Sequence, residues 1–266
     1  DAAISALSSN TSETFTVTVS DGALSDSRSL TIAITGTNDA PVMSSDARSL
    51  TAISEDATGN GGDTVAAILA SAGTGTDADG NSLGIAITAV DNRNGTWEYK
   101  SGAGSWTAIT GVSGSAALLL ANTDRVRFVP NADYNGSATG GITFKAWDQT
   151  SGTAGTTVGN DTTANGGLGN GGQYSAASAT AGIAVTALND APVLSDTVLT
   201  LPAIAQNAGA PSGAAGVAVS SLVAIGTNVT DVDSGAVTGI ALVGLDTSAG
   251  GTWYYSTDGG ANWTAV

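Results

Sequence analysis

The pentapeptide Asn-Asp-Ala-Pro-Val occurs twice in the chain, at residues 38–42 and at residues 189–193. Each copy follows a run of alternating apolar and small residues, which ends at Ile34 before the first copy and at Val185 before the second. Such alternation predicts a β-strand with one buried face. Proline cannot donate a backbone hydrogen bond and holds φ at about −65°. We therefore expect each strand to lead into a stiff, extended joint at which a new module begins.

The segment after the second joint repeats the segment after the first. Residues 231–233 (Asp-Val-Asp) correspond to residues 77–79 (Asp-Ala-Asp), and residues 239–242 (Gly-Ile-Ala-Leu) correspond to residues 84–87 (Gly-Ile-Ala-Ile). Internal repetition of this kind indicates a tandem array. It predicts three modules: the last strands of an incomplete module at residues 1–37, a complete module at residues 38–188, and the first part of an incomplete third module at residues 189–266.

Composition favours an all-β fold. The 266 residues include 37 Gly but only 3 Phe and 5 Trp, and helix-favouring residues are scarce. Together with the alternating runs, this predicts many short strands joined by Gly, Asn and Asp turns. No window reaches the roughly 18 apolar residues of a membrane span, so we expect no membrane insertion in this segment.

Charge and missing residue types exclude several functions. The chain carries 23 acidic and 7 basic residues, a formal net charge of −16, which argues against nucleic acid as a partner. It contains neither Cys nor His, so thiol catalysis, disulfides, Cys/His zinc sites and His-based triads are ruled out. The acidic surface is compatible with simple solubility or tolerance of high salt. Asp and Asn oxygens are also the ligands that Ca²⁺ prefers.

The acidic motifs cluster at the joints. Ca²⁺ takes roughly six to eight oxygens, which different loops must deliver to one point. The candidates at the first joint are Asn38, Asp39, Asp77 and Asp79, joined by Asp148 if the strand that ends at Trp147 finishes at the same pole. Those at the second joint are Asn189, Asp190, Asp231 and Asp233, joined by Glu55 if its loop lies at the far end of the middle module. The alternative is that Asn-Asp-Ala-Pro is merely a good turn.

These motifs resemble cadherin-type repeats, and more closely the cadherin-like (VCBS-type) modules of giant bacterial RTX-type surface adhesins. The resemblance implies Greek-key β-sandwich modules of the immunoglobulin or cadherin type, joined end to end with Ca²⁺ between them. Among the family's ligand positions, Glu55 matches the early acid, and Asp21 and Asp148 match the late Asp. The motifs that carry the resemblance are residues 19–22 (Val-Ser-Asp-Gly), 35–42, 128–131, 134–136 (Tyr-Asn-Gly) and 146–148 (Ala-Trp-Asp).

Two departures from the family pattern change what the resemblance implies. Gly36 and Leu188 stand near the position where the family linker often carries an extra Asp. In the third module Gln206 and Asn207 replace Glu55 and Asp56, so a joint beyond that module should bind calcium weakly.

The resemblance implies an extender in an extracellular or cell-surface adhesin, exported by a signal outside this fragment, that supports adhesion or biofilm formation. Its partners would be the neighbouring modules, with any cell-surface or polysaccharide ligand bound through other parts of the parent protein.

Four tryptophans allow a second interpretation. Trp97 and Trp106 belong to one predicted hairpin, and Trp253 and Trp263 to its repeat. They could form a sugar-stacking platform, although core packing is favoured in a chain so poor in large residues. The alternative functions are thus a carbohydrate- or ligand-binding module, or an accessory segment of a secreted polysaccharide-degrading enzyme. No carboxylate pair stands beside a nucleophile, so we expect no enzyme activity.

Overall fold

The structure, a computed structural model, describes residues 7, 9–73, 75–157, 159–169, 171–195 and 198–266. Residues 1–6 and 8, the start of the predicted first module, lie outside the described residues. The chain forms two compact units, Asp1–Leu188 and Asn189–Val266. Strands make up 33% of it and helices 6%, so the predicted all-β class is confirmed. The division into three cadherin-like modules and the Greek-key connectivity stay predictions.

The first unit begins with a two-stranded hairpin. β1 (Thr11–Ser20) pairs antiparallel with β2 (Ser25–Ile34), as the alternation predicts. The carboxylate of Asp21 closes the turn by accepting hydrogen bonds from the backbone N–H groups of Ala23 (2.9 Å) and Leu24 (2.8 Å). Every side chain of the hairpin is exposed except Ile34, which is half-buried. The expectation of one buried face is therefore wrong for this pair of strands.

Residues 38–188 form a β-sandwich. Strands β3 and β4 run parallel to their neighbour β12, and the other pairings are antiparallel. One sheet has the order β3-β12-β11-β6-β9 with β4 also paired to β12, and the other has the order β5-β10-β7-β8. The elements are β3 (Ala47–Ser49), β4 (Ile53–Ser54), β5 (Asp63–Thr64), α1 (Val65–Ala70), β6 (Gly84–Val90), β7 (Gly95–Lys100), β8 (Thr107–Ala108), β9 (Leu118–Leu120), β10 (Arg125–Pro130), β11 (Gly136–Trp147), a helical turn α2 (Ala164–Gly167) and β12 (Ala179–Thr186).

The core lies between the two sheets and depends on a few large side chains. Trp97 of β7 and Phe128 of β10 are fully buried, with ring centroids 5.0 Å apart. Gly141 of β11 makes room for them, because a Cβ atom there would lie 2.3 Å from the Trp97 ring. Ile and Leu side chains of β6, β9 and β11 complete the layer. Tight aromatic packing lets a chain with little bulky apolar content bury a continuous core.

A long segment between β11 and β12, residues 149–178, covers the outer face of the larger sheet; we call it the covering loop. The composition of residues 150–173 predicts a surface loop with almost nothing to bury. Many of these residues are exposed, as expected, but Asn160, Thr162 and Gln173 are buried, so the second part of the expectation is wrong. The loop pairs with the edge strand β9, since Gly155 N–H donates to Leu119 C=O (2.7 Å) and Leu119 N–H donates to Thr156 C=O (3.1 Å). Its Tyr174 is fully buried beside Trp147. Covering an edge strand in this way also protects it from pairing with other chains.

The second unit contains less regular structure. β13 (Val193–Leu194) pairs with β14 (Val229–Thr230), and β15 (Tyr254–Tyr255) pairs with β16 (Thr264–Ala265); one short helix, α3, spans Val219–Leu222. The strand that the repeat predicts at residues 239–242 does not form. Across the described residues of both units, no helix is long and apolar enough to cross a membrane.

Candidate metal sites

The first joint is fixed beside the loop that carries Asp77 and Asp79. Val42 and Thr76 exchange two backbone hydrogen bonds of 2.8 and 2.9 Å, which align the linker with the start of that loop. The N–H of Asp39 then donates to Asp79 Oδ2 (2.8 Å), and the N–H of Asp79 donates to Asp77 Oδ1 (2.9 Å). The linker pair and the Asp-x-Asp therefore form one hydrogen-bonded group.

Asn38 connects this group to the end of β11. Its Nδ2 donates to Asp148 Oδ2 (2.7 Å), Gly171 C=O (3.1 Å) and Asp39 C=O (3.2 Å). Asp148 is 2% exposed, and its other carboxylate oxygen accepts hydrogen bonds from the N–H and Oγ1 of Thr150. β11 thus ends at the joint, and all the candidates predicted there lie together. We call them the Asn38 set: Asn38, Asp39, Asp77, Asp79 and Asp148.

Three oxygen atoms of the Asn38 set are shielded from solvent without a hydrogen-bond partner among the described residues: Asn38 Oδ1, Asp77 Oδ2 and Asp79 Oδ1. The described residues form three ion pairs, and none of these involves the Asn38 set. Among the described residues, no Lys or Arg therefore forms an ion pair with a carboxylate of the set. Burial raises the pKa of Asp77, and the negative charges of Asp148 and Asp79 raise it further; hydrogen bonds from the backbone N–H groups of Asp79 and Asn81 offset part of this rise. Buried acceptors that lack both a donor and a counter-charge are costly, so a bound cation would lower the free energy of the set.

The chemistry of the set indicates which class of cation fits. Every atom that the set could offer to a metal ion is an oxygen. Oxygen ligands suit Ca²⁺ or Mg²⁺ rather than a metal that prefers sulfur or imidazole ligands. In the described part of residues 1–188, no three acidic side chains bring carboxylate oxygens within 4.8 Å of one another. The carboxylates of the set are therefore spaced more widely than this, and the amide of Asn38 links Asp148 to the linker.

The second joint reproduces the same local geometry in the second unit. The N–H of Asp190 donates to Asp233 Oδ2 (2.8 Å), and the N–H of Asp233 donates to Asp231 Oδ1 (2.9 Å). Val193 pairs with Thr230, as Val42 does with Thr76. Asn189 Nδ2 donates to Asp190 C=O (2.8 Å). We call this group the Asn189 set: Asn189, Asp190, Asp231 and Asp233.

Glu55 of the first unit is 3% exposed and held as a carboxylate. Its Oε1 accepts from the N–H of Leu188, and its Oε2 accepts from Asn135 Nδ2 (2.8 Å). The hydrogen bond from Leu188, followed by that from Asn135, lowers the pKa of Glu55. Both units thus carry acidic oxygens that could hold a metal ion, and their role as ligands stays a prediction.

Asp21 does not join the Asn38 set. It lies in the β1–β2 turn, at the opposite end of the ten-residue strand β2 from Asn38. A strand of that length spans about 33 Å, and the Asp21 carboxylate already serves the turn. The interpretation of Asp21 as a late acid would therefore concern a different joint.

The four tryptophans differ in their exposure. Trp97 is fully buried, so its prediction as a sugar-binding residue is corrected: it is a core residue. Trp106 is half-buried, with the Arg127 guanidinium 4.3 Å from its ring centroid. Trp263 is half-buried, and its indole N–H donates to Gly213 C=O (3.0 Å). Trp253 is 46% exposed and can still present a face to a ligand.

Sequence reasoning missed the residues that fix the candidate ligands from outside the motifs. These are Thr150, Gly171 and Gln173 of the covering loop, and Asn135 beside Glu55. Asn135 lies in the Tyr-Asn-Gly motif and could have been considered on that ground. The loop residues offer no such signal, because two of them act through backbone carbonyls that any residue type provides.

Comparison with known proteins identifies no relative: no protein-family model, curated protein or solved structure matches the chain. The resemblance to cadherin-like modules therefore depends on the short motifs alone.

Proposed function

We propose that this chain is a calcium-binding, cadherin-like structural segment of an extracellular bacterial adhesin, in which Ca²⁺ stiffens the joints between modules. The repeated joints and the acidic motifs beside them support the extender role. The observation that carries the proposal is the Asn38 set, with three shielded oxygens that lack a partner among the described residues and no Lys or Arg paired with it there.

The residues that would hold the ion are Asn38, Asp77 and Asp79 through their unpartnered oxygens, with Asp39 and Asp148 beside them. A bound Ca²⁺ supplies the positive charge that offsets the mutual repulsion of the carboxylates. The chain itself keeps the ligands in place. The Asp39–Asp79 and Asp79–Asp77 hydrogen bonds fix the linker against the loop, and Asn38 ties both to the end of β11. A linker fixed on both sides has little freedom to bend.

Thermal unfolding with Ca²⁺ and with a chelator tests the binding. A ligand at 100 times its Kd stabilises the folded state by about 2.7 kcal/mol, so the wild-type melting temperature should rise by several degrees. Replacing Asp77 and Asp79 together by Asn should remove most of that gain. The control replaces the exposed Asp46 and Asp133 by Asn, which makes the same charge change outside the set and should leave the gain intact. An unchanged wild-type melting temperature would contradict the proposal.

Small-angle X-ray scattering of the full chain tests the mechanical role separately. We expect a narrower distribution of interatomic distances with Ca²⁺ than with chelator, because a stiff joint samples fewer orientations. Identical curves under conditions where calorimetry shows Ca²⁺ bound would contradict the extender role and leave the metal site in place.

A carbohydrate-binding module is the second candidate function, and one observation favours it. Trp253 and Tyr255 are 46% and 47% exposed at one short hairpin, where an aromatic face could stack on a sugar ring. Titration with soluble polysaccharides, followed by tryptophan fluorescence, should show a saturable change that Trp253→Ala removes. The control is Trp263→Ala, which removes a half-buried indole instead and should leave the fluorescence change in place. A response without saturation would exclude this candidate.

A further inference from the structure

We propose that the covering loop is part of the Asn38 metal site: residues 171–173 hold Asn38 and Asp148 in position, and a cation bound to the set holds the loop in return. This inference rests on the proposed metal binding. It adds a third structural contributor, which is neither the linker nor the Asp-x-Asp loop and which no motif of the sequence indicates.

The loop fixes the orientation of the Asn38 amide. Nδ2 lies within hydrogen-bond distance of three oxygens: Asp148 Oδ2, Asp39 C=O and Gly171 C=O. A rotated amide would place Oδ1 against the same three acceptors, which would repel it. The nitrogen therefore occupies that side, and Oδ1 is left as one of the unpartnered oxygens of the set. The Gly171 carbonyl thus helps to hold the Asn38 amide in the orientation that leaves Oδ1 free to bind a cation.

The loop also holds Asp148 at the end of β11. The backbone N–H of Asp148 donates to Gln173 C=O (3.2 Å), and Trp147 and Tyr174 form a β-bridge beside it. Two residues before Trp147, the ammonium of Lys145 donates to Gly167 C=O (2.6 Å) and Ser175 C=O (2.9 Å). The end of β11 and this part of the loop are therefore one hydrogen-bonded element.

Gly172 places the loop backbone directly against the joint. Its φ is +78°, and a Cβ atom there would lie 3.4 Å from Asn38 C=O and 3.7 Å from Ala40 N. Glycine adopts this conformation without strain and leaves the space that the joint occupies. A Cβ atom alone would be in ordinary van der Waals contact with the joint, and a branched side chain such as that of valine would add further atoms beside Asn38 and the linker.

Apart from Tyr174, the loop is anchored by hydrogen bonds rather than by apolar packing. Apart from Tyr174 and the half-buried Ala154, the described residues of its small core belong to the sheet and to residues flanking β9. Segments with few buried apolar contacts open at a low free-energy cost. If the closed loop positions two ligand residues, cation binding must favour closure. By linkage, closure must then raise the cation affinity by the same factor.

Hydrogen–deuterium exchange of the full chain tests the coupling, with Ca²⁺ binding measured independently by calorimetry. The N–H groups of Tyr174 and Ser175 donate to Leu168 C=O (2.9 Å) and Ala146 C=O (3.0 Å), so their exchange reports on loop closure. With saturating Ca²⁺ we expect their exchange to slow by about tenfold relative to chelator. Amides of β7, which lies in the other sheet, should change by less than about twofold. This measurement needs no variant.

A matched pair of glycine substitutions tests the reciprocal effect. Gly172→Val and Gly250→Val put the same side chain at the same φ of +78°, but nothing lies within 4 Å of a Cβ atom at Gly250, which belongs to the second unit and not to the covering loop. Backbone strain is therefore common to both, and only Gly172→Val adds atoms beside the joint. We expect Gly172→Val to weaken Ca²⁺ binding by about tenfold and Gly250→Val by less than about twofold.

The outcomes separate the inference from the function on which it rests. Bound Ca²⁺ with unchanged exchange at Tyr174 and Ser175 would overturn the inference and leave the proposed function standing. Equal affinities in the two valine variants would overturn it as well, because the contact with the joint would then have no effect. If calorimetry shows no Ca²⁺ binding by the wild type, the proposed function fails first and the inference with it.

Discussion

The two copies of the repeat, residues 38–109 and residues 189–266, share their motifs but not their burial. Ile87 is fully buried in β6, whereas its counterpart Leu242 is 61% exposed. Trp97 is fully buried, whereas its counterpart Trp253 is 46% exposed. Equivalent residue types therefore have opposite surroundings in one chain.

The difference lies in the strands that flank each copy. β6 has β11 on one side and β9 on the other, and both come from residues 118–147. The described part of residues 189–266 has no counterpart of these strands. A Cβ atom at Gly84 would lie 2.4 Å from Leu120 C=O, but nothing lies within 4 Å of one at the corresponding Gly239. An alternating pattern indicates which face of a strand can be buried, and distant strands decide whether it is.

The metal sets show the same division between local and distant structure. Asp39 and Asp79 form the same hydrogen bond as Asp190 and Asp233, 2.8 Å in each case, because the motif and its pairing partner are repeated. Asp148 and the covering loop come from parts of the sequence that the described second copy lacks. The joint motif and the Asp-x-Asp loop therefore provide one part of the metal set in both copies. In the first copy, Asp148 and the covering loop provide the other part.

A third difference concerns the turns of the tryptophan hairpins. In the second copy, Asp258 closes its own turn by accepting from Ser256 Oγ (2.7 Å) and from the N–H of Asn262 (2.9 Å). The first copy has no Asp in that turn. There Asp124, which is 3% exposed, accepts from the N–H of Gly102 (2.9 Å) and from the Ser101 hydroxyl (3.2 Å). The turn of the first copy is thus held by the carboxylate of Asp124, from another part of the chain, and the turn of the second copy by its own Asp258.

Truncating the equivalent apolar residues should give the largest contrast. Ile87→Ala removes a fully buried side chain and should lower the free energy of unfolding of the first unit by about 2–5 kcal/mol. Leu242→Ala should change the stability of the second unit by less than about 0.5 kcal/mol. Urea unfolding of the full chain measures both, and amide exchange of β6 assigns the transition to the first unit. Equal losses would show that the exposure of Leu242 does not reflect its environment in solution.

Removing the two turn carboxylates should give a smaller contrast. Asp124→Ala leaves the backbone N–H groups of Gly102 and Ala121 without their acceptor. Stranding a buried donor costs about 1–3 kcal/mol, and because Ala121 is only half-buried and Gly102 is exposed, we expect a loss of about 1–2 kcal/mol in the first unit. Asp258→Ala should affect only its own exposed hairpin, since water can replace the lost acceptor. Urea unfolding and the amide exchange of β7 and β15 distinguish the two effects. A global loss in the second variant would contradict this contrast.

Sequence reasoning was most reliable where the physics is local. The alternation at residues 85–90 and 183–187 predicts β6 and β12 because side chains on a strand alternate between two faces. The Asn38 and Asn189 sets could be proposed because the same acidic motifs recur after each copy of the joint and in the order that cadherin-type repeats show. The place of Asp148 could be stated only conditionally, because it depends on where β11 ends.

The rest depended on long-range packing that no short motif encodes. The polar composition of the covering loop conceals its buried role, because residues such as Asn160 bury polar groups by hydrogen bonding to backbone carbonyls. The burial of Trp97 depends on the missing side chain of Gly141 in another strand. Residues 239–242 repeat a strand pattern and still form no strand. The contact between Trp97 and Gly141, for example, joins residues that are far apart in the sequence.

The pH dependence of Asp258 should give the smallest effect and tests whether its turn is self-sufficient. The Asn262 backbone N–H, the Asn262 side chain and the Ser256 hydroxyl lower the pKa of Asp258 to about 2. A carboxylate whose pKa falls on folding stabilises the folded hairpin above its unfolded pKa, and this contribution is lost as the pH falls towards 2. Carbon-detected NMR titration of the Asp258 carboxyl group should therefore give a midpoint near pH 2. Asn262→Ala removes the side-chain donor but keeps the backbone N–H, so the midpoint should rise part of the way towards the ordinary value of 3.8. A wild-type midpoint near 3.8 would show that the hydrogen bonds within the turn do not stabilise the Asp258 carboxylate. Asp258 would then not serve as a local counterpart of Asp124.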